Sequence, residues 1–288
     1  MPNLRDVKKR IRSVISTRQI TKAMEMVSAA KLRRAQSRVM QVRPYSEKMT
    51  QILESLAAAS SGELSHPYFE KREVKKQTLV LMTSDRGMCG SFNANLIRRA
   101  QEWLEGKDKN KVELVLIGKK GYDFYKRREW PIAEKFLDWS GNLDYGRTRD
   151  IVEFLTGRFL KNETDEIVII YTMFLSTVKY KITTVRYLPV EKPKVDDSKQ
   201  GRIEYIFEPS PESIFTELLP RYALTKMMTS LADSFASEHG TRMIAMGAAT
   251  KNAGEMIDTL TLQYNKARQA AITKELLEIV SGAEALTS

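Results

Sequence analysis

Through the last part of the chain, apolar and small residues recur at alternating steps of three and four. They are Met228, Ala232, Phe235, Met246, Ala249, Ala253, Met256, Leu260, Tyr264, Ala267 and Ala271, with His239 and Arg242 as polar members of the same stripe. That is a heptad seam on one long helix. Ser210 is a good N-cap, Pro211 suits the first helical position, and helix-compatible residues continue to about Leu286. At about 1.5 Å per residue this helix is ~110 Å long. A compact chain of this length has a radius of gyration of only about 19 Å. The helix outgrows its own globule, so something else has to cover it.

A second stripe opens the chain with Leu4, Val7, Ile11 and Val14 and continues through Ile20, Met24, Val27 and Leu32. Glycine is absent before Gly62 and the only interior proline is Pro44, which predicts a helix over about 3–58 with a kink site at Arg43-Pro44. Its length is ~85 Å. Between the two helices the period changes to that of strands. Thr78–Met82, Val112–Ile117, Glu166–Phe174, Tyr180–Pro189 and Ile203–Phe207 read as strands. Helices are expected from the 84–90 turn through Trp103, from Gly118 to about Arg128, and over 144–161. The polar stretch 191–201 reads as a loop. The predicted class is α/β, a small three-layer Rossmann-like domain (61–209) inserted between two long terminal helices (1–60 and 210–288) that form an antiparallel coiled coil. If both helices start at the domain, about 17 residues of the second overhang the first. That overhang carries Ile272, Leu276, Ile279 and Val280 with no helix of the same chain to bury them.

Charge adds a direction to this picture. The formal net charge is +11, and residues 1–60 alone hold 13 Lys/Arg against 4 Asp/Glu, whereas residues 211–288 hold 7 against 9. A basic first helix suits nucleic acid, an anionic membrane surface or an acidic protein collar. One cysteine, Cys89, excludes an internal disulfide and points to a reducing compartment; with only two histidines, a zinc site is not expected. No apolar run reaches 18 residues, and the basic N-terminus lacks the apolar segment of a secretory signal, so it reads as mature protein.

Three motifs invite chemistry. Thr83–Gly90 (TSDRGMCG) occupies a strand-to-helix turn of the kind that cradles phosphates, but it matches neither Walker A nor G-x-G-x-x-G and reads first as a structural turn. Cys89 has no histidine near it in sequence to act as its base. Gly240, Gly247 and Gly254 fall seven apart in a helix where each costs about 1 kcal/mol relative to alanine, which suggests a close approach along one stripe. Tyr205 and Phe207 share one strand face beside Glu208, a candidate docking surface.

The segments ITKAMEMV (20–27), RPY (43–45), TSDRGMCG (83–90), EP (208–209), SEHG (237–240), the run Arg242-Met243 to Asn252-Ala253, and YNKARQAAIT (264–273) together resemble the gamma subunit of rotary ATP synthases, bacterial type. Gly247-Ala248 departs from the acidic and amide pair common there. The resemblance implies a rotor shaft with no catalytic site and no cofactor. It would couple proton flow through a membrane c ring to conformational cycling of three catalytic beta subunits. The implied partners are three alpha and three beta subunits, epsilon and the c ring, with no nucleic acid. The implied location is peripheral, on the cytoplasmic face of the bacterial membrane. By position, Lys22, Met24 and Arg242 would meet the acidic lever of beta, and Arg268, Gln269 and Thr273 its upper loop. Arg43 and Tyr45 with Tyr205, Phe207 and Glu208 would lie against the c ring and epsilon. A nucleic-acid-binding coiled coil would also explain the basic helix but not the apolar overhang. A small α/β enzyme would need convergent polar groups that the sequence does not offer.

Overall fold

The computed structural model of the protein describes residues 4–59, 66–191 and 211–287, with side chains described over 4–56, 66–191 and 213–281. The described chain divides into two compact units. One combines residues 29–242; the other combines 1–28 with 243–288. Helices α1 (Leu4–Ala59) and α5 (Pro211–Thr287) each contribute to both units and include Pro44 and Pro220.

The larger unit is built on a five-stranded sheet of β1 (Gln77–Met82), β2 (Val112–Ile117), β3 (Ile132–Phe136), β4 (Glu166–Phe174) and β5 (Tyr180–Leu188), in the order β3-β2-β1-β4-β5. All neighbours run parallel except β5, which returns antiparallel to β4 through a tight turn at Ser176–Lys179. The central strand alternates its faces. Leu79 and Leu81 pack with Leu96 and Ala100 of α2 (Phe92–Leu104) and with Tyr125 of α3 (Lys119–Tyr125). Val80 and Met82 pack with Ile151, Leu155 and Phe159 of α4 (Tyr145–Leu160), with Leu53 and Leu56 of α1, and with Phe215–Phe235 of α5. Both sheet faces are therefore covered, which is why β1 and β2 read as near-continuous apolar runs rather than alternating ones. The layers are three, as expected. Sequence reasoning missed β3, an edge strand whose Ile-Ala-Glu-Lys-Phe carries two charges and stays only half-buried. The expected strand at 203–207 lies outside the described residues.

In the smaller unit the two helices pair antiparallel. Thr250 Oγ1 donates to Thr21 Oγ1 at 2.9 Å, and a Cβ on Gly247 would meet the Glu25 carboxyl at 3.5 Å. The N-terminal seam differs from the expected one. Val7, Thr21 and Ser28 are buried, Ser28 to 3%, while Ile20 and Val27 are exposed, Val27 to 56%. Val7, Val14, Thr21 and Ser28 keep a strict seven-residue step. An apolar count skips it because its middle is filled by hydroxyls. Those hydroxyls satisfy themselves on the helix: Thr21 Oγ1 donates to Arg18 O at 3.1 Å and Ser28 Oγ to Met24 O at 2.7 Å. On α5, Met246, Ala253 and Leu260 are buried as the seam requires, whereas Met256 is exposed.

Candidate functional site

The 83–90 turn is held from three sides. Thr83 N donates to Ile117 O at 2.8 Å, and its hydroxyl accepts from Gly121 N at 2.8 Å. The Asp85 carboxylate accepts three backbone N–H groups, from Ser140 at 2.8 Å, Asp138 at 3.0 Å and Lys119 at 3.1 Å. The third side is α5. Arg242 donates from Nη1 to Glu238 at 2.7 Å, from Nη2 to Arg86 O at 3.1 Å and from Nε to Gly87 O at 3.3 Å. The guanidinium fork thus reads a carboxylate on its own helix and two carbonyls of the turn at once. A loop so fully bonded within the chain is structural, as its sequence suggested. Its outward residues are Arg86, Gly90 and Met88, the last exposed and at φ 58°.

Cys89 is buried and its sulfur accepts from Asn93 Nδ2 at 3.1 Å. The histidine nearest in function, His239, bonds the carbonyl of Gly141 at 3.3 Å and faces Arg242 at 3.5 Å. No nucleophile–base pair forms between them. Among the described residues no His/Cys/Asp/Glu group could hold a metal ion, and no helix is long and apolar enough to cross a membrane.

Burial sets unusual protonation on α5. Desolvation, reinforced by Arg242 and Lys31, pushes the His239 imidazole down to about 4 from 6.5, against the lift of the Gly141 bond. Desolvation pushes Asp233 up to about 6 from 3.8, although its partner Arg43, 2.9 Å away, and the Phe174 backbone pull the other way. Glu238 is also raised by desolvation, opposed by Arg242. A histidine that is hard to protonate in the fold adds stability that is complete above 6.5 and lost as pH falls through about 4. A carboxyl that is hard to ionise adds stability that is complete below 3.8 and lost as pH rises through about 6. The two slopes oppose between about pH 4 and 6. A His239→Gln chain is therefore expected to lose stability as pH rises across that window, and an Asp233→Asn chain to gain it. Urea midpoints measured at half-unit steps check both signs.

The sequence-predicted contact residues divide by environment. Lys22 is exposed, with its ammonium 3.3 Å from Glu25, and Met24 is half-buried one turn from Ser28. Arg268, Gln269 and Thr273 are exposed. Tyr45 is exposed beside Arg43, whose guanidinium bonds Phe174 O and Asp233. Arg242 is buried to 7% and committed to the turn. Tyr205, Phe207 and Glu208 lie outside the described residues. The residues that sequence reasoning passed over are the outward apolar ones on the smaller unit: Ile20, Met26 and Val27 on α1, and Ile244, Met256 and Leu262 on α5. The apolar pattern places Ile20, Val27 and Met256 in the seam and gives Ile244 and Leu262 no role. Beyond them, Ile272, Leu276, Leu277, Ile279 and Val280 are all about half exposed or more. Extending the Thr21–Thr250 pairing residue for residue sets Leu4 level with about position 267, so this apolar tip has no partner on α1.

Residues 3–286 match the family model described as ATP synthase. The ATP synthase gamma chain of Pelotomaculum thermopropionicum is 44% identical over 286 residues, covering 99% of this chain and all of that one. The gamma chain of Anaeromyxobacter sp. (strain Fw109-5) is 47% identical over 290 residues with the same coverage. Among solved structures, a chain of the Euglena gracilis mitochondrial ATP synthase (OSCP/F1/c-ring) shares the fold at a TM-score of 0.68 and 19% identity, covering 98% of this chain and 94% of that one. A chain of the Tetrahymena thermophila central stalk and c ring does so at 0.60 and 23%, covering 80% and 99%. Matched from end to end by family and relatives alike, the chain belongs to the ATP synthase gamma-chain family.

Proposed function

We propose that this chain turns as the central shaft of an ATP synthase, with its smaller unit inside a ring of three alpha and three beta subunits. As a gamma chain it is a non-catalytic, central-stalk subunit: rotation of a membrane c ring driven by proton flow is coupled through it to ATP synthesis and hydrolysis on beta. An asymmetric shaft touches each of three identical partners differently, so each site feels a different bias between its conformations. Rotation passes those biases around the ring in order.

The observation that carries this reading is the apolar surface left on the smaller unit. Burying a large apolar side chain stabilises by about 1.5–3 kcal/mol. Five such side chains on the tip stand about half exposed or more, a cost that an enclosing apolar sleeve removes. Arg268, Gln269 and Thr273 at the start of that tip suit contact with the upper loop of beta. Lys22, Met24 and Arg242 are assigned to its acidic lever. Arg43, Tyr45, Tyr205, Phe207 and Glu208 are assigned to the c ring and epsilon. The chain would stay peripheral, on the cytoplasmic face of a bacterial membrane.

Deletion of residues 269–288 tests the assignment. Reconstitution with alpha and beta is expected to give less assembled ATPase, and membranes carrying the deletion should synthesise ATP poorly for the proton gradient they hold. Full assembly with unimpaired coupled synthesis would refute the bearing role of the tip.

A further inference from the structure

A cavity of about 340 Å³ opens in the larger unit between α1, the loop that precedes α4, and α5. Its charged lining residues are Lys31, Arg34 and Arg38, spaced three and four apart so that they fall on one face of α1. No carboxylate lies within ion-pair distance of any of the three among the described residues. Lys31 reaches only a backbone oxygen, that of Ser140, at 3.4 Å. The acids of the surrounding elements are already engaged. Asp85 accepts its three backbone N–H groups, Asp144 caps α4 by accepting from Arg147 N, and Glu238 pairs with Arg242. The floor is apolar and buried, made by Ala232 and Phe235 of α5, and Asn142 adds a polar group at the wall.

Three cations with no ion-pair partner among the described residues, set around a concave site with an aromatic floor, form an anion trap with a hydrophobic base. Guanidinium groups match the geometry of phosphate oxygens. The volume lies in the range of small-molecule sites and is too small for a folded segment. We infer that this cavity binds a small organic phosphate, its phosphoryl oxygens held by Arg34 and Arg38 and its apolar body resting on Phe235. This inference does not depend on the rotor assignment.

The test is calorimetric titration of the purified full-length chain with phenyl phosphate and with inorganic phosphate. Phenyl phosphate should bind about tenfold more tightly or better, because its ring reaches the apolar floor. The double variant Arg34→Gln, Arg38→Gln should weaken it by tenfold or more. Lys48→Gln, exposed on the same helix outside the cavity, should leave it unchanged. Both arginines are exposed, and an unaltered circular dichroism spectrum verifies that the double variant folds. Transfer of magnetisation between the Phe235 ring and the phenyl protons places the ligand in the cavity. Equal binding by the parent and the double variant overturns the inference, as does the absence of saturable binding in the millimolar range. So does a hexa-aspartate peptide that displaces phenyl phosphate at lower concentration than phenyl phosphate itself, because the surface is then made for an acidic protein segment.

Discussion

Replacing Arg242 with alanine is expected to destabilise the larger unit by about 3–5 kcal/mol, the range for breaking one partner of a buried ion pair. Glu238 is 4% exposed, and its carboxylate would be left in the interior with no ion-pair partner and only the more distant Lys31 to oppose its desolvation. The Gly87 carbonyl would lose its Arg242 donor and the Arg86 carbonyl would keep only its bonds from within the turn, chiefly that from Ser84 Oγ at 2.6 Å, so the turn would loosen along with the helix. The loss depends on pH in a definite direction. Desolvation already raises the Glu238 carboxyl, and removing Arg242 takes away the main group that opposes this. The variant is therefore stabilised by protonation of Glu238 at low pH and weakened as pH rises, so the gap to the parent is widest near neutrality. Urea unfolding at about pH 4.5 and about pH 7.5, near and above the carboxylate range, checks both the size and the slope. A gap below about 1 kcal/mol at neutral pH would mean that the pair is solvated. Arg242→Lys should recover only part of the loss, because an ammonium cannot copy the planar fork across one carboxylate and two carbonyls.

Gly118→Ala is expected to do comparable damage by a different route. Gly118 sits between β2 and α3 at φ 89°, and a Cβ there would stand 2.1 Å from the carbonyl oxygen of Thr83. Thr83 cannot retreat, because its N–H is bonded to Ile117 and its hydroxyl to Gly121. A backbone outlier of this kind costs about 1–3 kcal/mol by itself; with the overlap, the total should exceed about 3 kcal/mol. Gly106→Ala is the control. Its φ is 73°, yet nothing lies within 4 Å of the added methyl, so only the left-handed penalty of about 1–2 kcal/mol remains. Similar losses from both substitutions, measured by thermal unfolding, would show that φ alone matters and that the Thr83 contact is elastic.

The glycines spaced seven apart show where reading by pattern ends. Gly240 admits the backbone oxygen of Thr177 at 3.1 Å from a Cβ, and Gly247 faces the Glu25 carboxyl at 3.5 Å, but Gly254 has open space around it. One sequence feature therefore has two different internal reasons and one position with none inside the chain. The acid beside Gly247 is Glu25 of the opposite helix.

Most of the architecture followed from periodicity alone. Heptad spacing and the lack of breakers delimited both long helices to within a residue or two, and the apolar runs at 112–117 and 166–174 coincide with β2 and β4. Backbone hydrogen bonding and apolar burial repeat along the chain, so they leave a local trace. The charge split and the bare apolar tip were equally legible, and they agreed with the functional reading that the resemblance of the terminal segments implied. Only the tertiary structure decided which face of α1 meets α5. Hydroxyls at Thr21 and Ser28 can be buried because each bonds a carbonyl of its own helix, and this turns Ile20 and Val27 outward. The tertiary structure also decided that Arg242 is an internal strut, since the carbonyls it grips lie about 155 residues away. No spacing within α5 could announce a partner that only folding brings near.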